Sequence, residues 1–156
     1  FLFVNVGYNL RSTDMNAAIG LVQLKKLKKY NESRHQIGLI WNKAFLHLKK
    51  KGLFFPMEVT KNTKASWFGF PVICKDQGTR DKLREHLEKN GIETRPIISG
   101  NFAKQPACIK YGLSVNKKFP KTDIVYNKSF FIGLPTKKIG DKFLNKLIFA
   151  FEKSFK

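Results

Sequence analysis

The residues able to do chemistry gather in two stretches of this 156-residue chain. The first is Gly7-Tyr8-Asn9-Leu10-Arg11-Ser12-Thr13-Asp14, a turn leading into a helix that Thr13 and Asp14 can cap. Amide hydrogens and the dipole at a helix start favour a phosphate. An Asn side chain can bond its oxygens, and a guanidinium can do so with two bonds. Asn9 and Arg11 are therefore the candidate phosphate contacts; simple capping of the helix is the alternative. The second stretch is Gly91-Ile92-Glu93-Thr94-Arg95-Pro96-Ile97-Ile98-Ser99-Gly100-Asn101. It puts Arg95 near a strand end, followed by a turn whose amides can face a ligand, where pockets of α/β domains collect. The alternative is a plain turn, with Arg95 paired to a surface acid.

Other chemistry is poorly supported. His35, His47 and His86 sit in charged helical stretches without a Cys or carboxylate at metal spacing, so no metal site is expected. Glu85 and Glu88 read as solvated helix charges, and there is no Walker loop, GxSxG elbow or HExxH motif. Cys74 and Cys108 match no ligand spacing and are expected as free thiols in a reducing cytoplasm. No apolar run is long enough for a bilayer span. The start, Phe1 to Val6, has no initiator Met or basic leader and reads as a strand or connector cut from a larger chain.

Thirty Lys and Arg against eleven acids give a net charge of +19, which would suit a partner rich in phosphates. The excess is mostly lysine, in pairs such as Lys25-Lys26 and Lys28-Lys29 interleaved with apolar residues. That pattern makes a solvated helix face. Nucleic acid is not the expected partner, and a stand-alone polyanion-binding module is kept as a secondary reading.

The elements that must position these residues follow from periodicity. A helix starts at Thr13 (Ile19, Leu21, Leu24, Leu27) and a second helical stretch runs through Ile37, Ile40, Trp41, Phe45 and Leu48, with Asn31 or Gly38 as possible breaks. Residues 52–65 read as a connection and Ser66–Cys74 as a strand, in which Pro71 implies an edge or a bulge. Asp76-Gln77-Gly78 reads as a turn. Thr79–Gly91 reads as a capped helix and Ile92–Ile98 as a strand, and strand, helix and strand make a right-handed crossover unit when the two strands are parallel. A short helix at Thr122–Asn127, a third strand at Phe130–Leu134 and a last helix with Ile139, Phe143, Leu144, Leu147, Phe151 and Phe155 on one face complete the chain. The fold class is α/β: a small three-stranded sheet packed with helices, preceded by a long connecting helix.

Four blocks, GYNLRSTDMNAAIGLVQL, Trp67-Phe68-Gly69-Phe70-Pro71, GIETRPIISGNFAKQPA and Phe130-Phe131-Ile132-Gly133, together resemble the DegT/DnrJ/StrS family of pyridoxal-phosphate enzymes that remodel nucleotide sugars. The last three are more similar to its 3-dehydrase branch, which acts on CDP- or GDP-linked 4-keto-6-deoxyhexoses. Many aminotransferase members carry a histidine-containing segment where this chain has Ser99-Gly100-Asn101.

The resemblance implies the C-terminal small domain of a fold type I enzyme, with residues 1–29 ending the large cofactor domain and 30–156 forming the small one. It further implies pyridoxal or pyridoxamine phosphate as cofactor, with Asn9 and, more weakly, Arg11 reaching its phosphate in a homodimer with a shared active site. Arg95, Ser99 and Asn101 would line the sugar-nucleotide side, and Trp67 and Phe68 would pack the small domain. The implied reaction is loss of the C3 hydroxyl in surface-polysaccharide or lipopolysaccharide sugar synthesis, in the cytoplasm, with an electron-transfer reductase as partner if the sugar is CDP-linked. Transfer of an amino group from an amino acid is the alternative. No lysine here resembles the cofactor lysine, so this stretch by itself is expected to be inactive.

Overall fold

A computed structural model describes residues 7–8, 10–113, 118–137 and 139–155. The first helix, α1 (Asp14–Phe45), begins where extended Thr13 accepts a hydrogen bond from the Asn16 amide at 3.3 Å. It runs unbroken through both Asn31 and Gly38, the two expected points of fracture. Gly38 is held by tertiary packing: a Cβ there would stand 2.3 Å from the Trp67 ring. A 3-10 segment, Leu46–Lys51, closes at Gly52, whose φ of 80° is the left-handed stop that glycine allows.

Three strands form one antiparallel sheet in the order β1-β2-β3. They are β1 (Leu53–Phe54), β2 (Gly69–Cys74) and β3 (Ser129–Gly133). The register sets Leu53 opposite Cys74, Phe70 opposite Ile132 and Val72 opposite Phe130. Alternation along β2 buries Phe70, Val72 and Cys74, which share a face with buried Phe130 and Ile132.

Pro71 fits because of how its neighbour bonds. Opposite it, Phe131 exchanges both backbone bonds with Arg95, at 2.9 and 2.7 Å, and so turns no backbone polar group toward β2. The missing Pro71 donor therefore points to the other flank. β1 reaches only Ile73 and Cys74 there, which leaves Pro71 locally at an edge.

The expected strand at Ile92–Ile98 is corrected by the structure. That segment contributes a single antiparallel bridge, Arg95 to Phe131. Since β2 and Arg95 both run antiparallel to β3, the segment does run parallel to β2, but β3 lies between them and no parallel pair forms. Pro96 removes the next donor and Ile98, at φ 48°, leaves the extended region, so pairing stops after one residue. The third strand is instead β1, inside the stretch expected to be plain connection.

Helix α2 (Gln77–Lys89) takes in what reads in the sequence as a turn, because Asp76 caps it by accepting from the Thr79 amide at 2.7 Å. A short α3 (Pro106–Lys110), α4 (Pro120–Lys128) and α5 (Asp141–Lys153) follow. The core is aromatic. Phe45 lies 5.4, 5.2 and 4.9 Å, centroid to centroid, from Phe55, Phe70 and Phe151, tying α1, the sheet and α5 together. Both cysteines are buried and free, and burial pushes the Cys74 thiol up to about 12.

Candidate cofactor and substrate site

Of the N-terminal candidates, the structure describes Arg11 alone. Asn9 lies outside the described residues. Arg11 is exposed, just ahead of the Thr13 cap, and enters none of the ion pairs among the described residues. The cap uses the Asn16 amide, while the first helical amides keep no partner within the helix. Among the described residues, an exposed Arg11 shortly ahead of amides with no partner in the helix is a donor set that suits a phosphate.

The second stretch is built onto α2, β3 and α4. Buried Thr94 anchors it, donating to Glu88 and accepting from Arg84 Nε at 2.9 Å. Arg95 is then fixed by its backbone on β3, while its side chain stands in solvent and pairs with Glu93 at 2.6 Å. The chain reverses through a Gly100 N–H to Ile97 carbonyl bond of 2.8 Å, with Ile98 and Gly100 both at positive φ. Gly100 also needs its missing side chain, since a Cβ would meet Tyr126 at 2.5 Å.

Ser99 and Asn101 share this turn but face different surroundings. The Ser99 carbonyl accepts from the Gln105 side-chain Nε2 at 3.2 Å, and Ser99 lines a cavity of about 360 Å³ with Arg80, Pro96, Ile98, Gly100 and Tyr126. Asn101 is buried, and its amide group is engaged within the chain. It donates to Asp123 at 2.8 Å and accepts from the Ala103 amide at 3.1 Å. Asp123 also pairs with Lys104 at 2.7 Å, and bonds from Lys104, then Asn101, hold its carboxyl below the usual range.

The structure thus brings Ser99 and Asn101 together, sets Arg95 on the neighbouring bridge, and leaves Arg11 exposed ahead of α1 with no described contact to them. Arg80 is the residue that the sequence reading missed. Its side chain is only 15 % exposed, and it donates to the Tyr126 carbonyl at 3.2 Å. Its position one turn into α2 carries no signal until α4 packs across it.

Among the described residues no group of three or more His, Cys, Asp or Glu could hold a metal. No described helix is long and apolar enough to cross a membrane. The histidines contact neighbouring side chains: His35 stacks on Trp67 at 5.6 Å, His47 bonds Glu152 at 2.9 Å, and His86 Nε2 accepts from the Asn90 side chain at 3.3 Å.

Comparison with known proteins extends these observations. The GDP-4-keto-6-deoxy-D-mannose 3-dehydratase of Escherichia coli O55:H7 is 36% identical over 137 residues, covering 85% of this chain and 34% of that protein. The lipopolysaccharide biosynthesis protein RfbH of Salmonella typhimurium is 33% identical over 136 residues, covering 86% of this chain and 31% of that protein. Among solved structures, the E. coli GDP-4-keto-6-deoxy-D-mannose-3-dehydratase with bound hydrated PLP superposes with a TM-score of 0.78 at 31% identity. That match covers 100% of this chain and 38% of the other. The chain thus spans about a third of the length of the relatives it matches. The family model for DegT/DnrJ/EryC1/StrS aminotransferases matches residues 2–142, and the chain belongs to that family.

Proposed function

We propose that this chain is the C-terminal portion of an enzyme dependent on pyridoxal or pyridoxamine phosphate. Its reaction removes the C3 hydroxyl of a nucleotide-linked 4-keto-6-deoxy sugar made for a surface polysaccharide or lipopolysaccharide. The observation that carries this reading is the 36% identity to a 3-dehydratase across most of the chain. Residues 1–29 finish the large cofactor domain and 30–156 form the small domain. The full exposure of α1 up to Lys29 supports that division.

The cofactor, when bound, supplies the electron sink that lets the hydroxyl leave. This chain's own residues bind and orient. Arg11, with the free amides of α1 and with Asn9, holds the cofactor phosphate, in a homodimer whose sites are shared. Arg95 exchanges Glu93 for the diphosphate of the sugar nucleotide, to which a planar guanidinium offers paired donors. Ser99 presents its hydroxyl beside the sugar, and Asn101 keeps the turn in place through Asp123. The enzyme works in the cytoplasm, and a reductase supplies electrons if the substrate is CDP-linked.

The test is to give the intact gene product pyridoxamine phosphate and GDP- or CDP-linked 4-keto-6-deoxyhexose, and to analyse the sugar by mass spectrometry. Loss of the C3 oxygen is the expected result. Gain of an amino group moves the assignment to the aminotransferases of the same family. No absorbance change on adding either cofactor form overturns the enzyme reading. In that case, binding of a polyanion that weakens steeply with salt would favour the basic-module alternative.

A further inference from the structure

A second cavity, of about 560 Å³, lies away from the Ser99 turn, between the end of α2, the far end of β3 and α5. Its size is that of small-molecule sites in general. Buried Trp41, Ile132 and Leu147 form its floor. Phe143 and Phe149 stand at its wall, 47% and 54% exposed.

The spacing along α5 explains this lining. Phe143, Leu147 and Ala150 follow one helical stripe, with Lys146, Phe149 and Lys153 along its flank. Phe151 turns inward to the aromatic core instead. Helix α5 is therefore apolar toward two surroundings, the core and an open cavity, and two phenylalanines meet water at one place.

The rim is charged and one-sided. Lys146 and Lys153 border it against a single acid, Glu93, which is already paired with Arg95. Neither Lys146 nor Lys153 takes part in an ion pair among the described residues. The Lys153 ammonium lies 5.1 Å from the Phe149 ring, so cation and apolar wall adjoin.

We infer that this cavity binds a small amphipathic anion, an aromatic or short apolar body carrying a sulfonate, carboxylate or phosphate. Phe143, Phe149 and Trp41 take the body, and Lys146 and Lys153 take the head. The inference does not depend on the sugar-nucleotide reading: without sugar nucleotide, as in the test below, Glu93 stays paired with Arg95.

Two probes with the same ring and opposite charge test it: 1-naphthalenesulfonate and 1-naphthylmethylammonium, titrated calorimetrically into the intact gene product at low salt. One saturable sulfonate site is expected, about tenfold tighter than for the ammonium, as two partly screened charge contacts allow. The double change Lys146→Gln, Lys153→Gln should remove most of that preference. The control Lys50→Gln, Lys51→Gln, at exposed positions that do not line the cavity, should leave it and so exclude an effect of overall charge. Phe149→Glu, at a half-exposed position that spares the core, should abolish sulfonate binding. Equal affinity for the two probes, sulfonate binding that survives both sets of cavity changes, or no binding of either probe would overturn the inference.

Discussion

From Asp14 to Lys29 every residue of α1 is exposed, Met15, Ile19, Val22 and Leu24 among them, whereas beyond Tyr30 the same helix buries Ile37, Trp41 and Phe45. Both halves are rich in apolar residues, so content does not separate them. Direction does. At about 100° per residue, Ile37, Trp41 and Phe45 fall in one narrow stripe, which a sheet on one side can cover, while Leu39 and Ile40 lie off it and stay exposed. Met15, Ile19, Leu21, Val22, Leu24 and Leu27 surround the axis. A helix apolar all round needs neighbours on several sides, more than this small sheet provides.

The sharpest way to break the comparison is truncation. Phe45→Ala, at the centre of the aromatic core, should cost about 3–5 kcal/mol. Leu24→Ala should change the stability of the 156-residue chain by less than about 0.5 kcal/mol. Urea unfolding midpoints measure both. A cost of several kcal/mol for Leu24→Ala would show that the halves do not differ as described.

Two glycines on the same helix should respond with opposite signs. Gly38→Ala drives a methyl into the Trp67 ring and Met57, and should destabilise by about 1–3 kcal/mol. Gly20→Ala meets nothing within 4 Å and should stabilise by about 0.5–1 kcal/mol through helix propensity. Thermal melts of the two variants side by side decide it; matching shifts would contradict the packing assigned to Gly38.

The smallest effect concerns helix starts. Asp76 caps α2 and, chiefly through the Thr79 amide bond, holds its carboxyl below its ordinary value of 3.8. A lowered carboxylate pKa adds stability that is fully present above the unfolded value. That stability is lost as pH falls through the lower folded one. Thr13, the cap of α1, carries no such group. Acid titration by NMR should therefore move the Thr79 amide below pH 3.8, and Asp76→Asn should remove that step. The Asn16 amide, bonded to the Thr13 hydroxyl, has no cap carboxylate to report. A Thr79 amide unmoved by acid would contradict the cap.

Elements held by local rules were legible in the sequence. The glycine-closed α2, the alternating part of β2, β3 and the apolar stripe of α5 all follow from side chains within a few residues of each other. Elements decided from elsewhere in the chain were not. The continuity of α1 at Gly38 depends on Trp67, 29 positions later, and β1 depends on the end of β2. The Ile92–Ile98 stretch is β-branched enough to read as a strand, yet Pro96 and the left-handed Ile98 limit it to one bridge. At the candidate site, the sequence located Arg95 and the Ser99-Gly100-Asn101 turn but could not separate their surroundings. That Asn101 lies inside, bonded to Asp123, while Ser99 lines a cavity with Arg80 is set by α4.

The segment leading into β2 grips α1 residue by residue. Lys64 pairs with Glu32, the Ala65 carbonyl bonds His35, Ser66 donates to Asn31, Trp67 stacks on His35, and the Arg34 guanidinium lies over Phe68. This grip is a fulcrum, and the exposed part of α1 is a lever arm. From Asp14 to Lys29 the arm measures roughly 24 Å at 1.5 Å per residue. A tilt of about 5° at the fulcrum would swing its tip by about 2 Å, enough to break the hydrogen bond that we propose Arg11 makes to the cofactor phosphate. Among the described residues, five residues ahead of a strand thus set the direction of a helix whose far end meets no neighbour.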